Sequence, residues 1–245
     1  MTRLAFAAFC LSVLISLPAM AYETPDNNPL SAEERQVRKD FRQAALLFDR
    51  GMYDMARAGF EAIANATGDY MAEGYAVFCS VHLQSEGYET ALAQYQKKHP
   101  YSGLIPQMRY QYGLNLFDRD EYQAALEEFD AVSRHRLYRS QETEFLFKKA
   151  YCDFSLGNYE RALQRFSSLE KRTYSDYTSP ARYAMGYIYY RQKNFTEAIG
   201  WFEKAAKDSR FTAMSDYYII ESNFMLENYK TVCEEAPALV EKVPQ

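Results

Sequence analysis

The stretch Met185-Gly186-Tyr187-Ile188-Tyr189-Tyr190-Arg191-Gln192-Lys193-Asn194-Phe195-Thr196-Glu197-Ala198-Ile199-Gly200-Trp201-Phe202 decides the fold. Phe195, Ala198 and Phe202 recur at steps of three and four, which places them on one face of a helix of 3.6 residues per turn. The alanine lets a neighbouring helix come close, and the ring beyond it fills the space beside that contact. Lys193-Asn194 reads as a turn, and ahead of it lies a second helical pattern with the small residue Gly186 nine before Phe195. The unit is helix, turn, helix.

Moving outward, the same three positions are filled by Tyr53, Ala56 and Phe60, by Tyr88, Ala91 and Tyr95, by Tyr122, Ala125 and Phe129, and by Tyr159, Ala162 and Phe166. A decayed last copy is Tyr229, Val232 and Ala236. The leading aromatics stand 35, 34, 37, 36 and 34 residues apart, a period that marks a stacked-repeat architecture. The small residue nine before each is Ala44, Cys79, Gly113, Ala150 and Gly186, with Ile220 departing in the last copy. Each motif follows a turn: Arg50-Gly51-Met52, Glu86-Gly87, Arg119-Asp120, Leu156-Gly157-Asn158, Lys193-Asn194 and Glu227-Asn228. Their Gly and Asn residues suit the left-handed conformation that ends a helix. Ser31 with Glu34 forms a capping box, and Ser179-Pro180 supplies a cap and a first-turn proline.

A small residue, an aromatic after a turn, an alanine and a second aromatic form a pattern that resembles the tetratricopeptide repeat family over roughly residues 37–245. Runs such as Phe147-Lys148-Lys149-Ala150-Tyr151 before Gly157-Asn158-Tyr159 also look like the N-terminal part of long exported repeat proteins of the bacterial envelope. The resemblance implies an all-α, right-handed α-solenoid of about six helix pairs with a concave inner surface. At roughly 8 to 10 Å between helix axes, such an array is about 50 to 60 Å long. The repeats lie near 37–70, 72–105, 106–139, 143–176, 179–212 and 213–245, within one continuous solenoid over 31–245. Asp153 and Asn223 stand where the family has a large apolar residue, so both side chains need partners. The last helix either caps itself with Glu234, Glu235, Glu241 and Lys242 or leads into a longer protein, and the second is the expectation.

In this family the first helix of each pair lines the inner surface, at positions twelve, eight and five before the motif aromatic. The resemblance thus implies a face of Phe41, Ala45 and Phe48, then Ala76, Ser80 and Leu83, then Tyr110, Leu114 and Phe117. It continues through Phe147, Tyr151 and Phe154, through Tyr183, Tyr187 and Tyr190, and ends at Tyr217, Glu221 and Phe224. From the third pair onward the face is rich in rings, a composition typical of protein-binding surfaces. Tyr110, Phe117, Phe147, Tyr151, Phe154, Tyr183, Tyr187, Tyr190 and Tyr217 are the candidate partner-binding residues. Grip on an acidic tail would require Lys, Arg and Asn there, so an extended or helical segment with apolar side chains is the expected guest.

Composition agrees. The 245 residues are 48% hydrophobic and 25% charged, with 22 Tyr and 16 Phe but only 10 Gly, against disorder or a loop-rich β fold. Arg3, the apolar stretch Leu4 to Leu17 and the Ala19-Met20-Ala21 site read as an export signal over 1–21, cleaved before Tyr22, with a short flexible lead over 22–30. The apolar stretch is shorter than the roughly 17 to 25 residues of a membrane span. Phe9 before Cys10 is too large for lipoprotein processing. Cleavage removes one basic and no acidic residue, moving net charge from -5 to -6, and no basic concentration favours nucleic acid. The chain is expected in the periplasm or at the outer membrane, with association to outer-membrane complexes.

Catalytic signatures are missing. There is no phosphate loop, H-E-x-x-H or G-x-S-x-G, and no C-x-x-C. Cys79, Cys152 and Cys233 read as small buried thiols, His82 as a core residue, and His99 and His135 as lying near helix ends. No catalytic residue, cofactor or metal is expected. The leading reading is a non-enzymatic interaction scaffold of the bacterial cell envelope; the alternative is the sensory repeat region of a truncated or split envelope signalling protein. Stacked tyrosines would also suit a carbohydrate, to which Trp201 lends little support.

Overall fold

The computed structural model describes residues 31–172 and 175–242, so the expected export signal and lead fall outside the described residues. Among the described residues the chain is all-helical: α1 (Ala32–Asp49), α2 (Tyr53–Thr67), α3 (Tyr70–Leu83), α4 (Tyr88–Lys98), α5 (Ile105–Asp118), α6 (Tyr122–Asp130), a 3-10 turn η1 (Arg134–Arg136), α7 (Glu142–Ser155), α8 (Tyr159–Glu170), α9 (Thr178–Arg191), α10 (Phe195–Ala205), α11 (Thr212–Met225) and α12 (Tyr229–Lys242). Every motif aromatic opens the second helix of a pair. The longest interval, 37 residues between Tyr122 and Tyr159, contains η1 in the link between two pairs.

The helices gather into two compact units, Met1–Gln111 and Tyr112–Gln245, where the sequence reading has one continuous array. The division falls inside α5, a place that no change of composition marks. In the second unit, α7 touches α9 and α9 touches α11, so the first helices of successive pairs form one layer, with α8 and α10 packed against it.

Five turns close in the same way. The N–H just before the motif aromatic donates to a carbonyl five residues back: Met52 to Leu47, Glu121 to Leu116, Asn158 to Asp153, Asn194 to Tyr189 and Asn228 to Asn223, at 2.8 to 2.9 Å. This wrap-around bond needs a left-handed residue just ahead of it. Gly51 and Gly157 take that conformation, but so do Asp120, Lys193 and Glu227, at φ of 62°, 60° and 63°. The turn asparagines are therefore not left-handed, contrary to the sequence reading. Asn158 and Asn194 stand at N-cap positions without a side-chain cap bond, and two of the turn asparagines reach back instead: Asn158 Nδ2 donates to Asp153 Oδ1 at 3.3 Å, and Asn228 Nδ2 to Asn223 Oδ1 at 3.0 Å. These bonds partner the two polar residues that break the family pattern.

The second pair is built differently. Its wrap-around bond runs from Ser85 N to Ser80 O at 3.2 Å, with Gln84 left-handed (φ 49°) and Gly87 left-handed again (φ 75°). The left-handed residue thus lies four before Tyr88, against two elsewhere, and α3 enters the pair out of register with the motif.

Close packing follows the repeat. Ala56, Phe60, Ala125, Phe129, Ala162, Phe166, Ala198 and Phe202 are all 0% exposed. Gly113 and Gly186 give their helices room against these rings, since a Cβ would lie 2.6 Å from Phe129 and 2.9 Å from Phe202. In the second pair Tyr95 replaces the phenylalanine. Its hydroxyl donates to Tyr70 O at 3.2 Å and meets Ser102 Oγ at 2.9 Å, in the space that Gly74 leaves. In the sixth copy Val232 and Ala236 are only half-buried, and Tyr229 is exposed.

Asp153, fully buried, lies 3.0 Å from Arg165 Nε and 3.2 Å from Arg161 Nε, while Asp130 draws Lys149 (2.7 Å) and Arg165 (3.4 Å). This ionic knot ties α6, α7 and α8 together. Burial pushes the Cys79 and Cys152 thiols up to about 12, whereas Cys233 is exposed and departs from the reading of three buried thiols. His82 stacks flat on Tyr53 with ring centroids 4.1 Å apart, and burial lowers its pKa to about 4, so it is a neutral core ring at neutral pH.

Candidate partner-binding face

The layer formed by α7, α9, α11 and the Tyr112–Asp118 end of α5 carries a continuous run of rings. Phe117 meets Tyr151 at 5.5 Å, Tyr151 meets Phe154 at 5.6 Å, and Phe154 meets Tyr187 at 5.8 Å. Tyr187 then reaches Tyr218 at 5.6 Å, which touches Tyr190 at 5.1 Å, Tyr183 at 6.2 Å and Tyr217 at 5.2 Å. Edge-to-face and tilted geometries dominate, each worth about 0.5 to 1.5 kcal/mol beyond area burial. The rings therefore hold one another in place, a preorganised surface on a rigid layer.

Seven of the nine candidate residues lie on this run with area open to solvent: Phe117, Tyr151, Phe154, Tyr183, Tyr187 and Tyr190 half-buried, and Tyr217 exposed. The other two are core residues. Tyr110 is 2% exposed and belongs to the first unit, and Phe147 is 7% exposed, wedged against Phe166 and Tyr177. The first of the three inner positions is therefore not uniform: Tyr110 and Phe147 are buried there, while Tyr183 and Tyr217 keep area open to solvent.

Two signals were missed. Tyr218, the hub of the run, lies one residue past the family position, while its neighbour Tyr217 sits at that position. The clue is the turn: Tyr218 and Tyr75 both stand nine residues before a left-handed residue, Glu227 and Gln84. Both stack flat on the second motif ring of the preceding pair, Tyr218 on Phe202 (5.1 Å, 10°) and Tyr75 on Phe60 (4.9 Å, 16°). The register of α3 likewise replaces Ala76, Ser80 and Leu83 as ring positions by Tyr75, Phe78 and His82, which gather around Phe48 at 5.1 to 5.6 Å.

Charges border the face. Lys148 Nζ sits 4.1 Å above the Phe117 ring and 3.2 Å from Asp118. Burial, and then the neighbouring Glu221 carboxylate, raise the phenol of Tyr190; Glu221 is the main influence raising Tyr217. Tyr183 and Tyr122 are raised chiefly by burial. All these hydroxyls stay protonated at neutral pH and serve as donors.

A depression of about 520 Å3 along α8 is lined by Leu163, Gln164, Ser167, Ser168 and Lys171, with the Ser167 hydroxyl turned to Met185 Sδ at 3.8 Å. Among the described residues no three His, Cys, Asp or Glu side chains converge on a metal position, and no helix is long and apolar enough to cross a membrane.

Paired helices that share a turn and stack first helix on first helix define a helix-hairpin repeat protein. The sequence model described as tetratricopeptide repeat matches residues 110–177 and 147–211, which identifies tetratricopeptide repeats in that part of the chain. No curated protein matches the sequence. Among solved structures it is similar to the C-terminal part of a tetratricopeptide repeat-containing protein from Cytophaga hutchinsonii, at 17% identity and TM-score 0.59, covering 82% of this chain and 78% of that one. It is similar to the apo form of RapI at 17% identity and TM-score 0.55, covering 84% of this chain and 65% of RapI, just under two thirds of that chain. PilW, described as a type IV pilus biogenesis factor, is similar at 16% identity and TM-score 0.50, covering 84% of this chain and 92% of that one. These likenesses establish the fold, a solenoid of helix pairs.

Proposed function

We propose that this chain is an exported, non-enzymatic scaffold of the bacterial cell envelope, which holds a peptide segment or partner protein on the aromatic layer of α7, α9 and α11. The supporting observation is the unbroken ring run from Phe117 to Tyr217, whose members fix one another yet keep area open to solvent. Bulky, preorganised rings bind at little entropic cost, and such residues dominate binding energy at protein interfaces. The export signal read over 1–21 supports a place in the periplasm or at the outer membrane.

The test is capture from envelope extract by the wild-type chain and by a Tyr151→Ala/Tyr187→Ala/Tyr190→Ala variant, with circular dichroism of both. Capture is expected to fall by tenfold or more, since each lost hot-spot ring costs about 1 to 2 kcal/mol, while helicity holds. Unchanged capture by a folded variant refutes the face.

A further inference from the structure

We propose that this face takes the cationic side chain of a partner's extended segment, a Lys or Arg seated over Glu221 among Tyr187, Tyr190 and Tyr217. The inference rests on the binding face argued above and adds the chemistry of its occupant. Tyr217, Glu221 and Phe224 stand at i, i+4 and i+7 on α11, so they share one face of that helix. Tyr217 and Phe224 are 49% and 55% exposed, which leaves the neighbourhood of the carboxylate open. From α9, Tyr187 and Tyr190 lean on Tyr218 at 5.6 and 5.1 Å, and the Tyr190 hydroxyl, like that of Tyr217, is hydrogen-bonded to Glu221.

A carboxylate that accepts from the phenol hydroxyls of Tyr190 and Tyr217, beside partly exposed rings, keeps its charge and is complementary to a cation. The rings attract it through their quadrupole, the carboxylate through its charge, and an acidic segment is repelled by both. Glu221 forms no ion pair among the described residues. The same layer already accepts cations from its own chain: Lys148 Nζ rests 4.1 Å over the Phe117 ring, and Arg191 lies beside the Tyr187 hydroxyl. Phe224, one turn beyond Glu221, offers an apolar contact to the residue that follows the cation in the guest. Charge complementarity therefore selects a basic, partly apolar peptide over the acidic tail that a lysine-lined array would hold.

The test is a display library of short random peptides panned on the full chain, followed by affinity measurements of one selected peptide. Enrichment in Lys or Arg, with binding weakened about tenfold by Glu221→Gln and by Lys→Gln in the peptide, is the expected result. Peptides lost on Tyr187→Ala/Tyr190→Ala, yet showing no basic enrichment or no response to Glu221→Gln, overturn the cation preference and leave the face standing. A folded Tyr187→Ala/Tyr190→Ala variant that binds as the wild type does, or a library that yields no binder, overturns the face and this inference with it.

Discussion

Three helical glycines of the second unit offer a signed test of the packing. A Cβ on Gly113 would lie 2.6 and 2.8 Å from Phe129, and one on Gly186 would lie 2.9 Å from two atoms of Phe202. Both rings are 0% exposed and have no free space to enter. Gly200, in α10, would meet nothing within 4 Å. Alanine for glycine in a helix gains about 1 kcal/mol in propensity, and overpacking a filled core costs about 1 to 3 kcal/mol. Gly200→Ala should therefore stabilise by about 1 kcal/mol. Gly186→Ala should lose about 1 kcal/mol and Gly113→Ala, with the tighter approach, about 2 kcal/mol net. In a unit of this size each kcal/mol moves Tm by roughly 4 °C. Urea and thermal unfolding followed by circular dichroism read all three, and Phe129→Leu should restore part of the loss in the Gly113→Ala background. A stabilised Gly113→Ala, or three equal shifts, refutes the close helix contact as the reason for the repeated small residue.

Other expectations follow from single sites. Burial lowers the His82 pKa from 6.5 to about 4, so its contribution to stability is complete above pH 6.5 and is lost as pH falls through about 4. Acid titration of stability should show a loss of about 3 kcal/mol across that window, and His82→Phe should abolish it. Asp153→Ala strips a fully buried carboxylate from Arg161 and Arg165, which are 54% and 24% exposed and so in part rehydrate. Urea unfolding should register a loss of about 3 kcal/mol, the low end for a broken buried pair. Lys193, left-handed at φ 60°, carries a strain that glycine does not, so Lys193→Gly should raise stability by up to about 1 kcal/mol. Gly157→Ala in the equivalent turn should lower it by about 1 kcal/mol, checked by thermal unfolding.

The pairing of helices was legible because close contact leaves a local trace: an alanine and a ring at fixed offsets survive wherever two helices must nearly touch. Ala162 and Phe166, or Ala198 and Phe202, are buried as that spacing demands. Less legible was anything set by the turn. Lys193 and Glu227 adopt a conformation that their side chains do not advertise, held by the wrap-around bond, and the displaced turn at Gln84 rotates α3 without any break in the apolar pattern. The site met a second limit. Offsets counted from the motif ring found Tyr187 and Tyr190 but put Tyr110 and Phe147 on the surface, and passed over Tyr218, because the burial of each ring is decided by what the neighbouring helices bring against it, as Phe166 and Tyr177 do for Phe147 and Phe202 does for Tyr218. Asp153 looked anomalous only because its partners, Arg161 and Arg165, come from the next helix.

Hydrogen exchange of the full chain, alone and saturated with a captured peptide, tests most directly whether the first-helix layer holds the partner. Slowed exchange is predicted in Glu142–Ser155, Thr178–Arg191 and Thr212–Met225, with Tyr159–Glu170 and Phe195–Ala205 unchanged. Protection confined to α8 and α10, or to α1 through α4, contradicts the account.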